Sequence, residues 1–140
     1  MTTRDYLTQL RVIDLEITMN RSEELSWLEL ATKINGGLSE IKVEGSSSPD
    51  RMESLVVKAA DCALNAKRER ERLVYLKTTI ERQIKEIEDS EMRFMLWGYY
   101  HDKETVHSLS KKIPTSDRNG RRIIEKATRA FEEKWGSTYL

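Results

Sequence analysis

The sequence predicts an all-α protein in which a long antiparallel helical hairpin of coiled-coil type leads into a small C-terminal trihelical domain. Three observations predict it. Only 6 Gly and 2 Pro occur in 140 residues, so helices can run without interruption, whereas a sheet-rich chain needs more turn residues. Apolar residues recur at three- and four-residue steps over long stretches, the period of a helix face. Charged residues make up 34% and hydrophobic residues 38%, a polar balance that suits long amphipathic helices burying only a stripe. The expected division is a hairpin over 1–88 and a second domain over 89–140.

The first helix is expected from about Thr3 to about Ile34, with Thr3 as its N-cap. Tyr6, Leu10, Ile13 and Ile17 stack on one face. The same stripe meets Asn20 and Glu24, then resumes at Trp27, Ala31 and Ile34. Polar residues in a seam weaken it and can specify its register or its partner. Asn35-Gly36-Gly37 is the expected end, because Gly tolerates the left-handed conformation that helix ends use. Residues 36–50 read as a serine-rich linker, with Gly45 to Asp50 turn-forming. Asp50 and Glu53 have the spacing of a capping box.

The second helix is expected over about 51–88, roughly 55 Å at 1.5 Å per residue. Met52, Leu55, Ala59, Cys62, Ala66, Leu73, Leu76, Ile80 and Ile87 fall on one heptad frame, interrupted by Glu69 and Gln83. A helix of this kind cannot bury its stripe alone. The first helix, folded back against it, is the natural partner, and a homodimer through these N-terminal helices is a further candidate.

Beyond Glu88-Asp89-Ser90 the segments shorten. Ser90 to Tyr100 is the most apolar stretch and reads as a core helix. A helix follows from Glu104 or Thr105 to Ile113, with Val106, Leu109 and Ile113 inward. Pro114-Thr115-Ser116 is a tight turn. Ser116 is placed to cap a last helix from Asp117 to about Trp135, with Ile123, Ile124, Ala127 and Phe131 inward.

Composition and motifs exclude much. His101 and His107 lie across a turn at no metal-ligand spacing, and no cysteine cluster accompanies them. The chain has one cysteine; Cys62 sits on an apolar stripe, as a packed thiol does. No glycine-rich phosphate loop is present, and the carboxylates are mixed with Lys and Arg as on solvated faces. No enzyme activity, cofactor or metal is therefore expected. Thr2 to Tyr6 leads directly into an amphipathic pattern, without a leader-like apolar run, and no stretch approaches the roughly 20 apolar residues of a membrane span. A cytoplasmic protein without a membrane partner is expected.

The formal net charge is zero, but its distribution is uneven. Residues 1–50 hold 5 Lys/Arg against 9 Asp/Glu, residues 51–104 hold 11 against 11, and residues 105–140 hold 8 against 4. A basic C-terminal end points to an anionic partner there. A short helix, a turn and a longer basic helix over 104–135 match a helix-turn-helix, whose second helix enters the DNA major groove by its N-terminal end. Arg118, Arg121 and Arg122 face outward near that end beside Asn119. Arg suits guanine and Asn suits adenine. Lys111, Lys112, Lys126 and Arg129 suit phosphate contacts, which position without reading sequence.

Ser116-Asp117-Arg118-Asn119-Gly120-Arg121-Arg122-Ile123-Ile124-Glu125-Lys126-Ala127 resembles the recognition-helix stretch of sigma-factor C-terminal domains. It is closer to small phage-encoded sigma-like proteins related to the ArpU and RinA late-transcription regulators. Asp5-Tyr6-Leu7 with Leu10 and Ile13, Ser46 to Met52, and Leu76 to Arg93 are similar to the same family in order along nearly the whole chain. The resemblance implies a phage or prophage transcriptional regulator in a bacterial host cell. It also implies a helix-turn-helix domain on promoter DNA, with Asp117, Arg118, Arg121 and Arg122 in base-facing slots. Double-stranded DNA is then the partner, with host RNA polymerase as a second candidate. Two positions depart from the family: Pro114 stands where a turn glycine is usual, and Gly120 where a branched apolar residue is usual. They leave open altered specificity, weaker binding, or a domain turned to protein contact. The alternative reading is a protein-interaction module that contacts host RNA polymerase or another host protein through its long helices.

Overall fold

The computed structural model describes residues 1–40 and 49–140, with side chains over 1–34 and 51–140. It is all-α, with no strand among the described residues. Helices α1 (Thr3–Glu40) and α2 (Pro49–Lys85) form the hairpin, followed by α3 (Ser90–Leu96), α4 (Val106–Lys112) and α5 (Asp117–Trp135). No helix among the described residues is long and apolar enough to cross a membrane.

Several boundaries differ from expectation. The cap of α1 is Thr2 rather than Thr3: Asp5 N–H donates to Thr2 Oγ1 (3.1 Å) and Thr2 N–H donates to Asp5 Oδ2 (3.2 Å). This is a capping box closed by aspartate. It frees Thr3, which is buried and accepts a hydrogen bond from the Tyr139 hydroxyl at 2.9 Å. Helix α1 also runs through Gly36 and Gly37 to Glu40. Glycine inside a helix costs about 1 kcal/mol relative to alanine, which permits an end there without enforcing one. The expected linker falls largely on 41–48, outside the described residues, as does the side chain of Asp50. Helix α2 begins at Pro49, a residue whose missing N–H and fixed φ suit a first turn.

The chain forms two compact units. One contains Leu15–Val74, the inner part of both long helices. Here Ile17 and Asn20 of α1 and Ala59, Ala63, Ala66 and Leu73 of α2 are buried. Glu24 is paired with Arg70. The Asn20 Oδ1 atom is buried with no hydrogen-bond partner.

The other unit contains Met1–Asp14 and Tyr75–Leu140. Its core takes Tyr6, Leu7, Leu10 and Ile13 from α1, Ile80, Ile84 and Ile87 from the end of α2, and Met95, Leu96, Tyr100, Leu109, Ala127 and Phe131 from the C-terminal helices. The Tyr6 hydroxyl donates to Gln83 Oε1 (2.7 Å), and Lys77 Nζ donates to Asp14 Oδ1 (2.6 Å). Position 6 faces 83 and position 14 faces 77, so the two helices run antiparallel. Tyr6 also stacks on Tyr139, with centroids 4.1 Å apart. The short 3₁₀ turn Gly136–Thr138 delivers that tyrosine.

The seam of α2 differs from the expected frame at alternate positions. Residues 59, 66, 73, 80 and 87 are buried as expected, but their companions are Ala63 and Ile84, not Cys62 and Leu76, which are half-buried. Arg70 and Lys77 occupy the same frame and meet Glu24 and Asp14. Glu69, expected as a seam interruption, is exposed and pairs with Arg72 on its own helix. Of the two expected interruptions only Gln83 is buried.

The apolar Ser90–Tyr100 segment is not one uniform helix. After Leu96 the backbone widens into a π-helical turn over Trp97–His101, closed by Asp102 N–H donating to the Trp97 carbonyl (3.1 Å). Gly98 lies in this turn with Leu109 against it; a Cβ there would overlap the Leu109 side chain. Lys103 follows with φ of 59°, the left-handed region.

Candidate nucleic-acid interface

Helix α4 is capped by Thr105, whose hydroxyl accepts from Ser108 N–H, and α5 by Ser116, whose hydroxyl accepts from Asn119 N–H. Between them, Ile113 N–H donates to the Leu109 carbonyl (3.3 Å) and Thr115 N–H to the Ser110 carbonyl (2.9 Å). No positive φ is needed along this turn. Pro114 is exposed and its missing N–H is not missed, which is why a proline can stand there.

The two helices cross at Ser110 and Gly120, both buried. A Cβ at position 120 would fall on Ser110 Oγ and lie 3.2 Å from Ser110 Cβ. Glycine at this point therefore carries the close approach of α5 to α4. A branched side chain could not fit here against the side chains of Ser110 and Val106.

That crossing decides which way α5 faces. At about 100° per residue, buried Gly120, Ala127 and Phe131 define one side. Arg118, Arg122, Glu125 and Arg129 lie on the opposite side, with Arg121 on one flank and Asn119 and Lys126 on the other. Arg118, Arg121, Arg122, Lys126 and Arg129 are all exposed. None of these five has an ion pair among the described residues. Ser116, Arg118, Asn119, Arg121, Arg122 and Glu125 together line an open concavity of about 520 Å³ at the start of α5.

The remaining site residues are placed differently. The Asp117 carboxylate contacts His107 Nδ1 at 2.9 Å and so ties the start of α5 to α4. Asn119 Nδ2 donates to Thr115 Oγ1 (2.8 Å), so its amide braces the turn while a second N–H and the amide oxygen stay free of that bond. Lys112 Nζ donates to Glu104 Oε1 (2.5 Å), which offsets its charge locally, whereas Lys111 is exposed. Lys111, Lys112, Lys126 and Arg129 do not line the concavity.

Sequence reasoning missed two cations. Arg4 and Arg11 of α1 line a second cleft, of about 350 Å³, together with Thr8, Tyr99, Tyr100, Arg121 and Glu125. The spacing of Arg4, Thr8 and Arg11 marks one helix face, but no local pattern shows what that face lies beside. No group of three or more His, Cys, Asp or Glu residues able to hold a metal occurs among the described residues.

Compared with known proteins, the chain matches no family model, no curated protein and no solved structure.

Proposed function

We propose that the chain is a DNA-binding regulator of transcription that seats the start of α5 in the major groove. The reading draws on the resemblance to phage sigma-like regulators and places its action in the cytoplasm of a bacterial host. The observation that carries it is the set of exposed, unpaired arginines on the side of α5 opposite its buried face. Planar guanidinium groups offer the forked donors that guanine edges and phosphates accept. Arg118, Arg121 and Arg122 take the base-reading role. Arg129, Lys126 and Lys111 are the phosphate contacts, which orient the protein without reading sequence.

Selection of bound sequences from random duplex DNA at two salt concentrations tests this. A recovered motif with steep salt dependence is the expected result. Replacing Arg121 and Arg122 together by Ala is expected to abolish the sequence preference. Undiminished preference in that double variant would remove α5 from the reading role.

A second reading, a protein-interaction module, is favoured by a different observation. In the Leu15–Val74 unit, Leu15, Met19, Leu25, Leu28, Leu30, Leu55, Val57 and Leu64 are exposed. Host RNA polymerase or a second copy of the chain would cover such side chains. Concentration-dependent dimerisation in sedimentation velocity, or nuclease-resistant capture of purified polymerase, supports this role. A monomer that ignores polymerase counts against it.

A further inference from the structure

The cleft beside α5 is built from two helix faces. Arg4, Thr8 and Arg11 come from α1; Arg121, Ile124, Glu125 and Thr128 come from α5; Tyr99 and Tyr100 lie with them. Arg4 and Arg121 are exposed. Arg11 is half-buried, with its guanidinium 4.5 Å from the Tyr99 ring centroid. That cation–π contact keeps the guanidinium beside the ring, and no hydrogen bond takes up its N–H donors among the described residues.

Three cations and a single carboxylate, Glu125, meet here. None of the three arginines is ion-paired among the described residues, whereas Lys77, Lys103 and Lys112 of the same unit each meet a carboxylate. Three cations against one carboxylate leave a local excess of positive charge, which favours an anionic occupant. The two threonine hydroxyls donate back to their own helices, Thr8 to the Arg4 carbonyl and Thr128 to the Ile124 carbonyl. Besides the Tyr99 and Tyr100 hydroxyls, the donors left for an anion are the guanidinium groups, whose fork matches phosphate oxygens.

The cleft adjoins the concavity at the start of α5, because Arg121 and Glu125 line both. The geometry points to a backbone phosphate of the same duplex as its occupant, with Arg4 and Arg11 as phosphate contacts and Arg121 at the junction. Helix α1 is then part of the DNA interface rather than a support for it. This inference rests on the proposed DNA-binding role. Continuity with the arginine face of α5 is what favours DNA over an acidic peptide.

The test measures affinity against salt for the full-length protein on its selected duplex and on an unrelated one. The variants are Arg4→Gln, Arg4→Glu, Arg11→Gln and Arg11→Lys. Arg4 is exposed and unpaired, so its variants are expected to melt as wild type does. Losing one phosphate contact lowers the slope of log affinity against log salt by about 0.9, which removes about 3.5-fold of the affinity change between 50 and 200 mM salt. Arg4→Gln and Arg11→Gln are each expected to show this on both duplexes, with the preferred sequence unchanged. Arg4→Glu weakens binding further, and Arg11→Lys keeps the slope. Wild-type slopes in Arg4→Glu and Arg11→Gln, with the motif intact, overturn the inference and leave the α5 reading standing. If the same variants instead lose binding to an acidic peptide, the cleft belongs to a protein partner. Wild-type protein with no salt-dependent DNA binding overturns both readings.

Discussion

Gly120 shows how one side chain can set the direction of a whole helix. Its missing Cβ lets α5 close on Ser110, and the arginines that follow turn outward as a consequence. Gly120→Ala is expected to cost on the order of 1–3 kcal/mol, the range for forcing atoms into a packed contact. Most of that loss should return in a Ser110→Gly background, which removes the opposing atoms. Ser110 Oγ is buried with no hydrogen-bond partner, so Ser110→Ala alone should stay within about 1 kcal/mol of wild type or be slightly more stable. Urea denaturation of wild type, the three single variants and the Ser110→Gly/Gly120→Ala double variant decides it; a fully stable Gly120→Ala would mean that the helices do not cross this closely. None of this is legible in the sequence, where Gly120 reads as a departure from the branched apolar residue usual at that place. Ser116 is different. Its capping role follows from its place before a periodic apolar run, and the structure has it.

Among the elements, α2 repays attention because its two possible frames share every seventh residue. They differ in whether 62 and 76 or 63 and 84 accompany that set. Shifting by one residue turns a side chain by about 100°, so the choice separates buried from half-buried. Ile84→Ala is expected to destabilise by about 2–5 kcal/mol, as full truncations in a packed core do. Cys62→Ala should change stability by less than about 1 kcal/mol. Equal losses in chemical denaturation would restore the other frame.

The ion pairs between α1 and α2 also predict a pH dependence. The hydrogen bond from Lys77 holds the Asp14 carboxyl below its usual value of 3.8, with Lys103 and His101 adding attraction and partial burial opposing it. A carboxyl whose folded value is depressed stabilises above the unfolded value, and the contribution is lost as pH falls through the lower, folded one. Wild type should therefore lose stability relative to Asp14→Asn below about pH 3.8. The difference at neutral pH should be no more than about 1 kcal/mol, since the pair is partly exposed. Parallel stability curves for the two proteins from pH 2 to 6 would remove Asp14 as a stabilising charge.

At the scale of the molecule, the ends of the hairpin and the C-terminal helices form one compact unit. Tyr6 contacts both Phe131 and Tyr139, and Lys134 Nζ donates to the Glu86 carbonyl (2.8 Å). A fragment over 89–140 would lack Leu7, Leu10, Ile13, Ile80 and Ile84, all nearly or fully buried in the whole chain. It is expected to show no cooperative thermal transition by circular dichroism. A transition matching that of the full chain would mean that the three C-terminal helices complete a core by themselves.

The sequence by itself determined the helical class, the buried stripe of α1 from Tyr6 to Ile17, the cap at Ser116, and the inward and outward sides of α5. These depend on spacing within one helix and on the few groups at its ends, so local order suffices. Tertiary structure alone decided which frame of α2 is buried, why Gly120 and Pro114 are tolerated, and that Arg4 and Arg11 stand beside Arg121. Each of those depends on what a distant segment places against the residue. Periodicity marks a face, but only packing settles what that face meets.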